Sequence, residues 1–229
     1  MEVVAEDRKT AESEAARIIS KSIAKLLESK SRIAFGLVGG ASVPGVLEAL
    51  RDSDTKWEKV HLFLADERLV DIESDQSNFK VIDGALLEDL LESGRIPEEN
   101  IHPFIYSGDV LDDVTDYGEE LRKVSDCLDL VLLSAGDDGH VAALFPGHET
   151  MRSESPYFIS THTSPKPPAG RMSASRKLMA RSKVAVCLFF GSEKKGALEM
   201  FRDPKVTVEQ CPAKLVLECA EPYIVTDIK

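Results

Sequence analysis

Two aspartates, a glycine and a histidine fill the four positions Asp137-Asp138-Gly139-His140, shortly after the apolar run Leu130-Val131-Leu132-Leu133. Such a run reads as a buried strand of a parallel sheet. Ligands of open α/β sheets bind just past the carboxyl ends of their strands. A histidine in that place titrates near neutral pH and suits a general base. Asp-Gly is also an ordinary turn, and His140 could simply cap a helix. The local pattern leaves both readings open.

Several other stretches suit an anion. Gly39-Gly40-Ala41-Ser42 lies between an apolar segment ending at Val38 and a helical pattern from Val43 to Leu50. Glycines let the backbone approach a phosphate, and N–H groups at a helix start attract it. Asp66-Glu67-Arg68 follows Val60 to Ala65, which reads as another strand; the triplet is either an exposed loop or a substrate-holding group with Arg68 as a bidentate donor. Ser164-Pro165-Lys166-Pro167-Pro168-Ala169-Gly170-Arg171 reads as an interdomain linker, a polyproline ligand, or a stiff loop fixing Lys166 and Arg171 in place. Gly191-Ser192-Glu193-Lys194 follows the run Val184 to Phe190 and is either a phosphate loop or a solvated helix start. Each of these is weak alone, but together they could converge at one sheet edge.

The elements that must position these residues follow from periodicity. Residues 6–29 read as an amphipathic helix with Ala15, Ile18, Ile19, Ser22, Ile23, Leu26 and Leu27 on one face. Ser77 is placed as the N-cap of a helix running to Leu91. A loop through Asn100-Ile101-His102 enters a short strand, and a helix covers about 111–125. Tyr157 to Thr161 is a further strand, and the tail from Lys214 to Asp227 alternates loosely and could add strands. Strands alternating with helices predict an α/β fold with a largely parallel sheet.

Length admits one large domain or two small ones. A net charge of −12 argues against nucleic acid and anionic membranes as partners, and makes any cluster of Arg and Lys informative. No stretch approaches the ~20 apolar residues of a membrane span. The acidic N-terminus has no apolar run, so no signal peptide is expected and the cytoplasm is the expected compartment. The four cysteines lack metal or disulfide-framework spacing and are expected to be reduced. No zinc-ligand spacing links the five histidines, so neither metal nor cofactor is expected.

Taken together, these segments resemble the 6-phosphogluconolactonase family from about residue 30 to about residue 215. The family pattern is matched by Gly39-Gly40-Ala41-Ser42, by Asp66-Glu67-Arg68 with Ser77-Asn78, by Asn100-Ile101-His102, by Gly136 to Gly147, by Ser164 to Arg171 and by Gly191 to Lys194. The histidine and Lys-Pro-Pro motifs are specific; the glycine loop is not. The resemblance implies one domain over 1–229 and a modified Rossmann-like sheet flanked by helices, shared with glucosamine-6-phosphate deaminase and ribose-5-phosphate isomerase. It implies hydrolysis of 6-phosphogluconolactone without a metal, with His140 as base.

Asp138 would shape the loop or bias the His140 tautomer. Arg68, Arg171 and Lys194 would hold phosphate and sugar oxygens and converge in one cleft with His140. Gly39, Gly40, Ser42 and Asp66 join them, with Lys166 a weaker candidate. A small sugar-phosphate lactone is then the only expected partner, and the protein a monomer. Ala41 and Ala143 depart from the family's serines, and the tail is short. The rivals are a sugar-phosphate deaminase or isomerase and a non-catalytic sugar-phosphate sensor. In the deaminases a Glu stands where this chain has Phe145, and a Tyr where it has Arg68. The sensor would usually carry a DNA-binding segment, and none is visible.

Overall fold

The computed structural model describes residues 1–229. In chain order the elements are β1 (Glu2–Val4), α1 (Arg8–Leu26), β2 (Ile33–Leu37), α2 (Pro44–Arg51), β3 (Val60–Leu64), β4 (Asp66–Arg68), α3 (Asn78–Ile82), α4 (Glu88–Glu92) and β5 (Ile101–His102). They continue with α5 (Val110–Val124), β6 (Leu130–Ser134), β7 (Phe158–Thr161), β8 (Arg171–Ala174), α6 (Arg176–Ala180), β9 (Val184–Phe189), α7 (Lys195–Arg202) and β10 (Glu221–Thr226).

The apolar runs become strands buried on both faces. Every residue of β2 and of β9 is buried, as expected of a parallel sheet covered by helices on each side. The sheet has seven strands in the order β1-β10-β9-β6-β2-β3-β5, and every pairing is parallel. Its edges are short, three residues in β1 and two in β5, which limits edge-to-edge association. From β2 the chain moves outward through β3 to β5, then crosses back to β6 beside β2 and continues outward to β9 and β10. The order therefore reverses between β2 and β6, and the crevice past their carboxyl ends is where ligands of such sheets sit.

Helix α1 starts at Asp7, whose side chain accepts from the Thr10 N–H at 2.8 Å, and buries Ala11, Ala15, Ile18, Ile19 and Ile23 against the sheet. The 78–92 helix starts where expected, with the Ser77 hydroxyl accepting from the Lys80 N–H, but a π-helical turn over Asp83–Leu87 divides it into α3 and α4. A cluster of 66 buried apolar residues forms the core. No helix is long and apolar enough to cross a membrane. All four cysteines are free and buried.

Two readings that the sequence leaves open are decided. The triplet Asp66-Glu67-Arg68 is not a loop but strand β4, and the Pro-rich segment is not a linker but the turn of a hairpin between β7 and β8. These strands form a second, antiparallel sheet in the order β4-β8-β7, with Arg68 opposite Arg171. The tail supplies one strand, β10, after a 3-10 segment over Pro212–Glu218, and β10 in turn holds the N-terminal strand β1.

Candidate active site

Three loops meet at the reversal point: 38–43 after β2, 135–140 after β6, and 190–194 after β9. With the start of β4 and Asn78 of α3 they enclose a cleft of about 250 Å³ lined by Gly39, Gly40, Ser42, Asp66, Arg68, Ser134, Gly136, His140 and Lys194 among others. Seven of the residues expected from sequence are thus brought together. Asp138, Lys166 and Arg171 do not line the cleft; Asp138 contacts His140, Lys166 lies near Asp138, and Arg171 stands opposite Arg68.

His140 is held tightly. Its Nδ1 lies 2.5 Å from Asp138 Oδ1, and the same oxygen accepts from the His140 backbone N–H at 3.1 Å. Burial pushes the Asp138 carboxyl up, but the hydrogen bonds and charge of His140, with Lys166 beyond, bring it down to about 2. Asp138 is therefore a carboxylate and can only accept, so Nδ1 carries a proton, and in the neutral ring Nε2 keeps its lone pair. One face of the ring packs on Gly136, where a Cβ would come within 2.1 Å of Cε1 and Nδ1. Phe145 lies on another side, its ring centroid 4.9 Å away. The turn after His140 is tight, with Ala142 at φ 51°, a conformation uncommon outside glycine.

Lys194 crosses the cleft floor. Its Nζ donates to Ser42 Oγ at 2.8 Å and Ser134 Oγ at 3.0 Å, tying together the loops after β2, β6 and β9. Burial lowers the pKa of this ammonium, and no carboxylate forms a salt bridge with it. A part-buried cation held only by neutral hydroxyls keeps its charge available to an anion. Ser134 was not singled out from sequence. Its signal was a small hydroxyl residue closing an otherwise apolar strand.

Asp66 is 7% exposed, and burial raises its pKa against the pull of Arg68, Arg171 and His140. Asn78 Nδ2 donates to Asp66 Oδ1 at 3.1 Å and to its carbonyl at 2.9 Å. Gly39 exists for this contact: a Cβ there would lie 2.1 Å from Asn78 Oδ1. Glu67, missed by sequence reasoning, is the anchor beneath. Its carboxylate accepts from the backbone N–H groups of Arg68, Asn78 and Phe79 and from Ser77 Oγ, fixing β4 against the start of α3.

Arg68 braces itself on the Gln76 carbonyl at 2.6 Å. Arg171, 5% exposed, donates through Nη2 to the carbonyls of Lys166 and Pro167 and leaves Nη1 buried without a partner. Arg171 is not among the residues that line the cleft with Arg68, but it stands beside it, directly opposite Arg68 on the paired strand β8, and its charge reaches Asp66. Lys166 is hydrogen-bonded to Asp137 and lies 3.8 Å from Asp138 Oδ2. Asp137, Asp138 and His140 bring possible ligand atoms within 4.8 Å of one another, but the Lys166 ammonium takes the cation position among them. A larger hollow of about 530 Å³ lies between β5 and α5, yet Asp113, Asp116, Glu119 and Glu120 line it and repel a phosphate.

Comparison with known proteins follows the same lines. Residues 6–225 match the family model described as glucosamine-6-phosphate isomerases/6-phosphogluconolactonase. A 6-phosphogluconolactonase of Borreliella burgdorferi is 32% identical over 197 residues, 85% of this chain and 83% of that protein. One from Thermotoga maritima is 34% identical over 180 residues, 78% of this chain and 79% of that protein. The crystal structure of 6-phosphogluconolactonase from Thermotoga maritima superposes with a TM-score of 0.85 at 30% identity, covering 99% of this chain and 98% of that one.

Proposed function

Because the chain belongs to the glucosamine-6-phosphate isomerase/6-phosphogluconolactonase family, we propose that the cleft beside His140 is where 6-phospho-D-glucono-1,5-lactone is hydrolysed to 6-phosphogluconate. The enzyme is a lactone hydrolase of the pentose phosphate pathway, the activity carried in the names of relatives that match it over most of both chains. The observation that supports this cleft is the pairing of a histidine whose Nε2 is free with a half-buried, carboxylate-free lysine.

The phosphate sits against Lys194, Ser42 and the Gly39 and Gly40 amides, which places the sugar between that cradle and His140. His140 Nε2 takes a proton from water as the water oxygen bonds to the lactone carbonyl carbon. Asp138 stabilises the imidazolium that forms. Arg68, backed by Arg171, supplies positive potential where the carbonyl oxygen becomes negative. The tetrahedral intermediate then expels the ring oxygen, which takes the proton back from His140 and leaves as a hydroxyl. Asp66 and Asn78 face the sugar from the β4 side. The reaction needs no cofactor, and we read the protein as a single-domain cytoplasmic monomer that engages neither nucleic acid nor membrane.

The test is His140→Ala, assayed with freshly generated 6-phosphogluconolactone beside an assay for ammonia release from glucosamine 6-phosphate. General acid–base catalysis is worth ~10²–10⁴-fold, so kcat above the spontaneous rate should fall by that factor in a folded variant. A folded variant with near-normal kcat, or a parent that releases ammonia instead, refutes the assignment.

A further inference from the structure

Lys166 sits on the turn between β7 and β8, and its backbone is fastened from both sides. The Ser164 hydroxyl donates to the Lys166 carbonyl at 2.9 Å and accepts from its N–H at 3.2 Å. Arg171 Nη2 donates to the carbonyls of Lys166 and Pro167. Proline rings on each side of Lys166 restrict φ, so the loop has little freedom left to lose. The ammonium is thus aimed at the His140 loop, where it is hydrogen-bonded to Asp137 and lies 3.8 Å from Asp138 Oδ2. The other oxygen of Asp138 is the one on His140 Nδ1.

Two readings of this cation differ in what it touches. As a phosphate ligand it would have to hold an anion beside two carboxylates, a patch whose net charge is negative even with Lys166 counted. It also does not line the cleft. We infer that Lys166 is a positioning residue for the lactonase reaction: by holding Asp137 and Asp138, it keeps the Asp138 carboxylate on His140 Nδ1 and fixes the ring's catalytic face. Without it, two adjacent carboxylates repel each other, and each gains by turning toward water. Asp138 is 36% exposed, so water can then compete with His140 for its carboxylate. The same contact couples Arg171, through the Pro-rich turn, to the loop that carries His140.

This inference rests on His140 being the base, and the experiment separates the two. Lys166→Met, Lys166→Gln and Lys166→Arg are assayed for kcat and KM with 6-phosphogluconolactone, beside His140→Ala and the parent. Loss of ring orientation should lower kcat roughly tenfold in the Met and Gln variants, within the ~10²-fold that small misplacements cost. KM should stay within about twofold of the parent, because the phosphate contacts are untouched. Lys166→Arg should recover most of kcat. The proton NMR signal of His140 Nδ1–H, absent in His140→Ala, should be present in the parent and Lys166→Arg and broadened or lost in the neutral variants. A rise in KM with kcat intact would make Lys166 a substrate ligand and overturn the inference. Unchanged kcat in both neutral variants would reduce the contact to a surface ion pair. Should Lys166→Met fail to fold by circular dichroism, the Gln variant decides. A His140→Ala enzyme that stays active would instead overturn the assignment of the base.

Discussion

Replacing Lys194 with methionine separates phosphate recognition from chemistry. The ammonium is the one cation that touches both the loop after β2 and the end of β6, through Ser42 and Ser134, and it has no carboxylate partner. A bound phosphate therefore gains a charge-assisted contact that nothing in the free enzyme supplies. Such contacts contribute roughly 1.5–3 kcal/mol, or about a 10- to 150-fold loss when one is removed. The loss should appear in KM if the phosphate is held equally in ground and transition states. The variant should then barely distinguish 6-phosphogluconolactone from unphosphorylated gluconolactone, whereas the parent prefers the former. Stability should move the other way. Burial depresses the Lys194 pKa below 10.5 in the folded chain, so the unfolded chain binds that proton more tightly. Stability of the unliganded parent therefore rises with pH between the depressed value and about 10.5, and below that window the ammonium is a net cost. Lys194→Met lacks this dependence and should melt no lower than the unliganded parent at neutral pH. Added 6-phosphogluconate at a hundredfold excess over the parent's Kd should stabilise the parent by about 2.7 kcal/mol and the variant by only about 0.3–1.4 kcal/mol, with a correspondingly smaller rise in Tm. A variant that keeps the parent's preference for the phosphorylated lactone would refute the cradle.

Gly136→Ala puts a methyl group where the His140 ring packs, at 2.1 Å from Cε1 and Nδ1; kcat should fall at least tenfold while phosphate-dependent KM changes little, and an unaltered kcat would mean the ring has room to move. Asp138→Asn removes a carboxyl whose folded pKa is about 2 against an ordinary 3.8. The stability it lends is present above about 3.8 and lost as pH falls through about 2, so urea melts of parent and variant should differ at neutral pH and converge toward pH 2. A constant difference across that range would contradict the hydrogen bond to His140.

The elements visible in the sequence were those whose burial is written in apolar residues. β2 and β9 are continuous apolar runs, β3 and β6 are apolar but for His61 and the closing Ser134, and α1 carries its stripe at helical spacing. β4 and β8 were not visible, because Asp66, Glu67, Arg171 and Ser173 are buried polar groups. Their cost is offset by partners distant in sequence, such as the Ser77–Phe79 segment for Glu67, and no local pattern announces those partners. β1 has three residues and depends on β10, itself at the other end of the chain. Within the site, residue types and loop positions were legible, which is why His140, Ser42 and Lys194 could be named. Side-chain direction was not. Whether Asp138 shapes the loop or orients the ring is decided by one rotamer. Whether Lys166 meets substrate or carboxylate is decided by a hairpin turn that the sequence leaves open between a linker, a polyproline ligand and a stiff loop.

That last distinction can be generalised across the site. Acidic residues outnumber basic ones by 40 to 28, so a cation near the cleft had every chance of a carboxylate partner. Arg68, Arg171 and Lys194 form no salt bridge; they lean on the Gln76 carbonyl, on the Lys166 and Pro167 carbonyls, and on two serine hydroxyls. Neutral acceptors fix a cation's geometry without pairing off its charge; Asp66 and Glu67 offset part of the Arg68 and Arg171 field, and the remainder with that of Lys194 is available to an anionic substrate and to a developing oxyanion. Lys166 is the opposite case, with two carboxylates against one ammonium. The acids are kept where they orient or anchor: Asp138 on His140, Glu67 on the start of α3, Asp66 beside Asn78. A protein of net charge −12 can in this way present a locally positive cleft to a doubly charged phosphate ester. Raising salt should then relieve the long-range repulsion more than it weakens the buried contacts, so kcat/KM for the phosphorylated lactone should rise between low and physiological ionic strength. A steep fall over that range, measured at constant pH, would mean that exposed cations steer the substrate and that the neutral-acceptor argument is wrong.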